Sequence, residues 1–398
     1  MSFSRKISEV LANNRNLQLL TLQAIVTQFC FGMFNIIWQP YLLDLQIAYT
    51  QLGLLQSIIT GFTGIGSILW GRLSDHIGRK PAQMGSIICR IISIGFFLIA
   101  TDWKGFIGFA VFMGLSSSWD QTNPVTTTLV SESVNKDNIG TAISVYSSAG
   151  TLIAIAAAPL GGYITVNQGY YPIFLSCIVG EIFNVFLANS FLKETLNLSQ
   201  RGKKRTINFW KLLVPERQVM SFYIIAVLTM FSWRIAFSNL NAILVDEYQI
   251  TPFQLGLMAS TFSLSWGLSQ APVGTFVDRY PRKWFLLISS IGFMLIPLGY
   301  LFSRSFIVFI VIQIINGLAH SFGIPATTSM VLTRVNKEER ATVLSKLATL
   351  PQLISLPAPL FSGYLYELLG FKTLLYIRFL FILITILVVI QIRDRQTQ

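Results

Sequence analysis

The chain has 398 residues, of which 53% are hydrophobic and only 12% are charged. A soluble globular domain carries about 25% charged residues, so this chain has too little polar surface to face water on all sides. Its formal net charge is +12, but most of the 29 Lys and Arg are predicted to lie in loops on one side of a membrane, as the positive-inside rule expects. The basic character therefore needs no nucleic-acid partner.

The apolar residues fall into blocks separated by short charged or Gly-, Pro- and Asn-containing segments. Each block is roughly 20 residues or more, the length that crosses a bilayer core of about 30 Å. We predict twelve transmembrane helices, at approximately 17–43, 52–71, 81–101, 105–130, 139–164, 171–192, 218–245, 253–275, 283–302, 306–333, 340–366 and 369–392. An even number of spans, with basic residues at both ends, places both termini on the cytoplasmic side of the plasma membrane.

The longest polar stretch, residues 193–217, divides the chain into two halves, 1–192 and 218–398. Residues 51–80 align with 254–283 without a gap, from Gln-Leu-Gly-Leu at the start to Arg-Lys at the end. A second pair of stretches matches at nearly the same offset, PVTTTLVSESVNK in the first half and PATTSMVLTRVNK in the second. Such matched loop residues predict an internal repeat, which is how many secondary transporters are built.

The loop after the second span reads Gly71-Arg72-Leu73-Ser74-Asp75-His76-Ile77-Gly78-Arg79-Lys80. This resembles the G-x-L-x-D-x-x-G-R-K signature of the major facilitator superfamily. The second-half loop keeps Gly274, Asp278, Arg282 and Lys283, but has Phe276 and Pro281 where the signature has Leu and Gly. The resemblance implies an all-α integral membrane fold of twelve helices in two pseudo-symmetric six-helix bundles.

The resemblance also implies that these loops form a cytoplasmic gate that joins the two halves and helps to hold the outward-facing state. The expected gate residues are Gly71, Asp75, Arg79, Gly274, Asp278 and Arg282. Two features of the family's proton-coupled drug exporters are missing. If Gly114 corresponds to the Gly of their fourth helix, Ala110 stands where that helix carries an Arg four residues earlier. Ala158-Pro159-Leu160-Gly161-Gly162 is one residue short of their G-P-x-x-G-G motif.

Polar residues occur inside the four spans that, by the resemblance, line the central cavity (the first, fourth, seventh and tenth). The candidate solute or proton-coupling residues are Asn35, Gln39, Asp120, Asn123, Arg234, Asn241 and His320. Charges in mid-membrane are costly and need a partner or a watery cavity. Asp120 therefore either couples transport to protons or cations or forms a fixed ion pair with Arg234. Arg234 could instead bind an anionic solute, and His320 is either a proton relay or a packing residue.

Arg90 and Glu181 lie in the middle of the third and sixth spans, which are usually peripheral to the cavity. We predict that they form an intramembrane structural pair. Arg378, in the last span, has no partner evident from the sequence.

These patterns predict a secondary active transporter that moves a small organic solute by alternating access, is coupled to protons and resembles an exporter. Uptake of an organic anion or another metabolite is the alternative within this class. A membrane solute sensor or membrane-embedded enzyme on the same fold is the alternative from another class, but only two His are available for catalysis. The expected partners are the solute, protons and the bilayer; we expect no metal, no cofactor and a monomer.

Overall fold

The computed structural model describes residues 10–119, 123–135, 138–196, 214–336 and 339–392. Within these ranges the regular structure is helical. The α-helices are α1 (Arg15–Asp44), α2 (Tyr49–Ile77), α3 (Arg79–Ile99), α4 (Gly105–Leu115), α5 (Pro124–Glu132), α6 (Ile139–Gln168), α7 (Tyr171–Phe191), α8 (Met220–Phe237), α9 (Leu240–Asp246), α10 (Pro252–Arg279), α11 (Arg282–Phe302), α12 (Phe306–Leu332), α13 (Arg340–Ile354), α14 (Ala358–Leu369) and α15 (Phe371–Gln391).

Nine segments of the described chain are long and apolar enough to cross a bilayer, counting α8 and α9 together. The three other predicted spans coincide with α10 and with two pairs of shorter helices, α4–α5 and α13–α14. The order of the elements thus fits twelve passes, and the all-helical membrane fold is the one expected from the sequence.

The fourth predicted span is interrupted, and our prediction of one continuous helix over 105–130 was wrong. Helix α4 ends at Leu115, and Ser117 adopts a left-handed conformation with φ of 57°. Pro124 is the first residue of α5, a position where its missing N–H costs nothing. The side chain of Asn123 caps α5 by accepting a hydrogen bond of 2.9 Å from the Val125 N–H, as preferred at helix N-termini.

Two spans of the second half are also interrupted. The eleventh predicted span, 340–366, is not one helix, since α13 ends at Ile354 and α14 begins immediately after Pro357, and proline interrupts the helical hydrogen bonds. In the seventh span α8 ends at Phe237, and the hydroxyl of Ser238 donates to the carbonyl of Arg234. Interrupted helices free backbone groups and are common beside solute sites in transporters.

The chain forms two compact units. Unit 1 comprises Met1–Ile47, Ile58–Arg205 and Thr251–Gly256, and unit 2 comprises Ala48–Ser57, Thr206–Ile250 and Leu257–Gln398. The predicted linker lies largely outside the described residues, so its boundaries at 193 and 217 stay a prediction.

Each unit has an aromatic core. In unit 1, Phe97 packs edge-to-face on Phe34, Phe109 and Phe174, with ring centres 4.7–5.1 Å apart. Close backbone contact adds to this core, since a Cβ atom on Gly161 of α6 would lie 2.7 Å from the Cα of Met33 in α1. Small residues of this kind let membrane helices approach closely.

Candidate functional site

The signature loop of the first half is organised around Arg79. Its guanidinium donates to the carboxylate of Asp75, to the Ser74 hydroxyl at 2.8 Å and to Glu132 at 3.2 Å. The backbone N–H groups of Arg79 and Lys80 donate to the carboxylate of Glu194 at 2.9 and 3.1 Å. The motif therefore ties α2, the end of α5 and the chain after α7 together inside unit 1.

Glu132 and Glu194 were not among the predicted gate residues. Glu194 sits at the N-terminus of α3, where unpaired N–H groups and the helix dipole favour a negative charge. Gly78 precedes this helix with φ of +113°, and a Cβ atom there would collide with the Glu194 carboxylate. The signal available in the sequence was an acidic residue directly after the sixth span, beside a basic loop.

The second copy of the loop starts its helix differently. Pro281 stands before α11 with φ of −57°, so no glycine is needed there. Lys283 donates to the carbonyl of Ile390 at 2.6 Å, and Lys80 donates in the same way to the carbonyl of Asn189 at 2.8 Å. The repeat thus extends to these lysine contacts.

Four predicted gate residues remain, namely Gly71, Gly274, Asp278 and Arg282. Gly274 and the side chain of Asp278 lie outside the part of the chain whose burial and contacts are described. The Nε atom of Arg282 is buried without an acceptor among the described residues. Gly71 lies within α2, and a Cβ atom there would meet nothing within 4 Å. The role of all six residues in a gate stays a prediction.

The polar residues of unit 1 fall into two kinds. Asn35 is exposed although it lies in the middle of α1, whereas Gln39 one turn later is buried. Asn123 is buried and engaged by the protein: its amide donates to the Ser86 hydroxyl at 2.6 Å and to the Ser116 carbonyl at 3.2 Å. Asp120 lies outside the described residues, and so does any pair that it forms with Arg234.

Arg90 and Glu181 form an ion pair of 2.8 Å, and their side chains are only 9% and 1% exposed. The hydroxyl of Thr27 donates to the other Glu181 oxygen at 3.1 Å. Arg90 also donates to the Ser118 hydroxyl at 2.9 Å, within the break between α4 and α5. This buried pair connects α3 and α7 to the interrupted span that carries Asp120.

In unit 2, His320 on α12 is surrounded by aromatic rings. The ring centres of Phe293, Phe262, Trp233 and Trp266 lie 4.9, 5.7, 6.0 and 6.4 Å from the centre of its imidazole. We call these four residues the aromatic box. The indole N–H of Trp266 is buried and has no acceptor among the described residues. The four rings meet the imidazole at interplanar angles of 54–84°, and such an aromatic environment suits a planar or cationic group.

The other two predicted polar residues of unit 2 lie near the break in the seventh span. Arg234 is 7% exposed on the last turn of α8, and Asn241 is half-buried on α9. They therefore lie on either side of the break at Ser238 and Asn239. Their roles in solute binding stay predictions.

Comparison with known proteins places these features in a family. A family model described as Major Facilitator Superfamily matches residues 20–220 and 222–397. A protein assigned by name to niacin/nicotinamide transport, NiaP of Bacillus subtilis, is 25% identical over 57% of this chain and spans 57% of its own length. A multi-drug resistance efflux pump homologue, PmrA of Lactococcus lactis, is 22% identical over 84% of this chain and 83% of its own length.

Solved structures show the same fold. A point mutant of the nucleoside transporter NupG superposes with a TM-score of 0.78 and 12% identity, covering 94% of this chain and 98% of NupG. The human organic anion transporter MFSD10 gives a TM-score of 0.60 and 16% identity, covering 94% of this chain and 99% of MFSD10. With the signature loop, the repeat and the helical order already described, these matches lead to one conclusion: the chain belongs to the major facilitator superfamily of membrane transporters.

Proposed function

We propose that the chain is a secondary active transporter that moves a small organic solute by alternating access. The observation that carries the proposal is Asn35, a polar residue exposed at the middle of an apolar helix of 30 residues. A polar side chain at that depth is stabilised by water or protein rather than by lipid. An exposed polar side chain inside a span supports a polar solute path, because lipid does not stabilise it.

Proton coupling and export are the finer parts of the proposal. Asp120 follows Ser118, which is tied to the Arg90–Glu181 pair, so a change in the charge of Asp120 would act beside a buried ionic network. The PmrA homologue, whose name describes a multi-drug efflux pump, matches most of this chain, and this supports export.

Uptake of an organic anion is the second candidate. It is favoured by Arg234, a buried cation inside a span, and by the missing exporter motifs. The relative named for niacin and nicotinamide supports a small heteroaromatic solute, though the match covers little more than half of each chain.

Flux into proteoliposomes under an imposed pH gradient tests both candidates. The purified chain is reconstituted and tested with a lipophilic dye cation and with radiolabelled nicotinate. We expect accumulation that collapses with a protonophore and is lost in Asp120→Asn, whereas Asp102→Asn, in an exposed loop, retains it. Accumulation that survives in Asp120→Asn would remove Asp120 as the coupling residue, and flux insensitive to the gradient would remove proton coupling.

We further propose that the chain works as a monomer in the plasma membrane with both termini in the cytoplasm. The basic residues in the terminal segments support this orientation. Protease accessibility of terminal tags in right-side-out and inside-out vesicles distinguishes the two orientations, and light scattering in detergent measures the oligomeric state.

A further inference from the structure

Arg378 lies in the middle of α15 and is completely buried, at 0% exposure. A guanidinium cannot lose its charge in a protein, so its charge at this depth needs an acceptor or a counter-ion. The proposed transport function gives Arg378 no role so far.

The protein supplies only part of what Arg378 needs. Its Nη1 atom makes one long hydrogen bond of 3.4 Å to the Ser232 hydroxyl. The rings of Trp233 and Phe237 each lie 4.9 Å from the guanidinium carbon. Ring faces stabilise a cation and accept at most weak N–H···π contacts, which do not replace the charge-assisted hydrogen bonds that an oxygen acceptor would provide.

Two donors of Arg378 are left over. Its Nε and Nη2 atoms are buried with no hydrogen-bond acceptor, and no acidic side chain pairs with it, among the residues that the structure describes. These two atoms lie on the same edge of the guanidinium. Two parallel N–H groups on one edge match the two oxygens of a carboxylate in a bidentate hydrogen bond.

We infer that Arg378 receives the carboxylate of a small organic acid carried by this transporter. The inference rests on the proposed function and names its solute class, an organic monocarboxylate. It gives the buried guanidinium the counter-ion that the described protein does not provide. It also places anion recognition on α15, a span outside the four that were expected to line the cavity.

Trp233 connects this position to the aromatic box. The Trp233 indole contacts both the Arg378 guanidinium and the imidazole of His320. Trp233 is half-buried, whereas Arg378 is fully buried. Because Arg378 is fully buried, a solute at the box reaches it only if the Trp233 side chain moves. An acid with a planar ring fits both elements, with its ring among the aromatic side chains and its carboxylate on Arg378.

The competing interpretation is that Arg378 is purely structural, held by its two aromatic neighbours. The two interpretations differ in one respect: a structural cation gains nothing from a carboxylate in solution. Thermal stability of the purified chain in detergent can therefore separate them, because a ligand that binds the folded state raises the melting temperature.

The experiment compares acids with their uncharged amides: benzoate with benzamide, and nicotinate with nicotinamide, at constant ionic strength set by sodium chloride. We expect the wild type to be stabilised by at least one of the two carboxylates more than by its amide. In Arg378→Met the apparent affinity for that carboxylate should fall by at least about 30-fold, as when one partner of a buried charge pair is removed, while amide binding is kept. Arg378→Lys keeps the positive charge but not the two parallel N–H donors of the guanidinium, so its loss of affinity should be intermediate.

Arg304→Met is the matched control. Arg304 also lies over an aromatic ring of unit 2, that of Tyr248 at 5.9 Å, but it is exposed in a loop, so its removal should leave the carboxylate response intact. A wild type that responds to neither carboxylate, or a response unchanged in Arg378→Met, overturns the inference. Carboxylate binding without flux would instead overturn the transport proposal and leave this assignment standing.

Discussion

Arg90 in unit 1 and Arg378 in unit 2 are both buried within membrane spans, but their surroundings differ. Arg90 in unit 1 meets Glu181 at 2.8 Å and Ser118 at 2.9 Å. Arg378 in unit 2 is more deeply buried, yet the described protein offers it one long hydrogen bond and two ring faces. We interpret the neutralised charge of Arg90 as structural, and we infer that Arg378, with two donor atoms unpaired among the described residues, serves a solute.

The largest change in stability that distinguishes Arg90 from Arg378 is expected from Glu181→Gln. This change leaves Arg90 buried without a counter-ion, and breaking one side of a buried pair costs about 3–5 kcal/mol. We expect a strong fall in the melting temperature and in the yield of folded protein, measured by thermal unfolding in detergent. The double variant Arg90→Met/Glu181→Leu, which removes both charges, should recover most of the loss. Wild-type stability in Glu181→Gln would show that the pair is not a structural element.

A smaller effect on the same pair is expected from Ser118→Ala. The hydroxyl accepts a hydrogen bond from Arg90, and hydrogen bonds to charged groups contribute about 1.5–3 kcal/mol. Because Ser118 lies in the break between α4 and α5, we expect a moderate stability loss together with faster hydrogen exchange in that segment. Ser133→Ala is the control, because among the described residues the Ser133 hydroxyl donates to the carbonyl of Leu129, one turn earlier in the chain. Equal effects of the two changes would contradict a special role of the Arg90 contact.

Arg378→Met should change stability much less than Glu181→Gln. Removing the charge relieves an insertion cost of about 2.5–3.5 kcal/mol, while two desolvated cation–π contacts of about 2 kcal/mol each are lost. These contributions nearly cancel, so we expect a melting temperature within a few degrees of the wild type. A collapse of the fold in Arg378→Met would show that the aromatic contacts, and not a solute, account for this residue.

The smallest effect concerns Lys346, a further buried cation, which lies on α13 and pairs with Glu216 just outside the seventh span. Burial alone raises the pKa of Glu216, but hydrogen bonds from Lys346 and Tyr223 outweigh it and hold the pKa below its ordinary value. A lowered folded pKa means that the contact stabilises the protein above the ordinary glutamate pKa and loses this contribution as the pH falls through the folded pKa.

We therefore expect Glu216→Gln to lower stability by about 1 kcal/mol or less at neutral pH, since Glu216 is partly exposed. The difference from the wild type should shrink as the pH falls below about 4. Melting curves of both proteins between about pH 3.5 and 7, on either side of the ordinary glutamate pKa, measure this. A difference that is constant across this range would mean that the charge of Glu216 does not stabilise the fold.

Much of this arrangement follows from the sequence. The repeat, the helical membrane fold and the signature loop depend on local patterns that a sequence displays directly. Arg90 and Glu181 could be paired because both are charged and lie at similar depth in spans of one half. The interruption of the eleventh span also has a local cause, since proline cannot continue the helical hydrogen bonds.

The rest depends on contacts between residues distant in the chain. Glu194 accepts a hydrogen bond from the backbone N–H of Arg79, 115 residues earlier in the chain, and no local sequence pattern predicts that contact. The break at Ser116–Asn123 was missed because the apolar composition of the span outweighed its serines and the Asn-Pro pair. That Arg378 lacks an acidic partner among the described residues is a statement about every neighbour in three dimensions, and a single sequence does not contain it.

The most direct test of the difference between the two arginines is a benzoate and nicotinate titration of three proteins, with melting temperature as the readout. The wild type and Arg90→Met/Glu181→Leu should both be stabilised by the carboxylate, because Arg378 is intact in each. Arg378→Met should not respond, although it is folded and has nearly the melting temperature of the wild type without ligand. A response that is kept in Arg378→Met but lost in the double variant would contradict the account, because it would place the solute's charge on the first unit rather than the second.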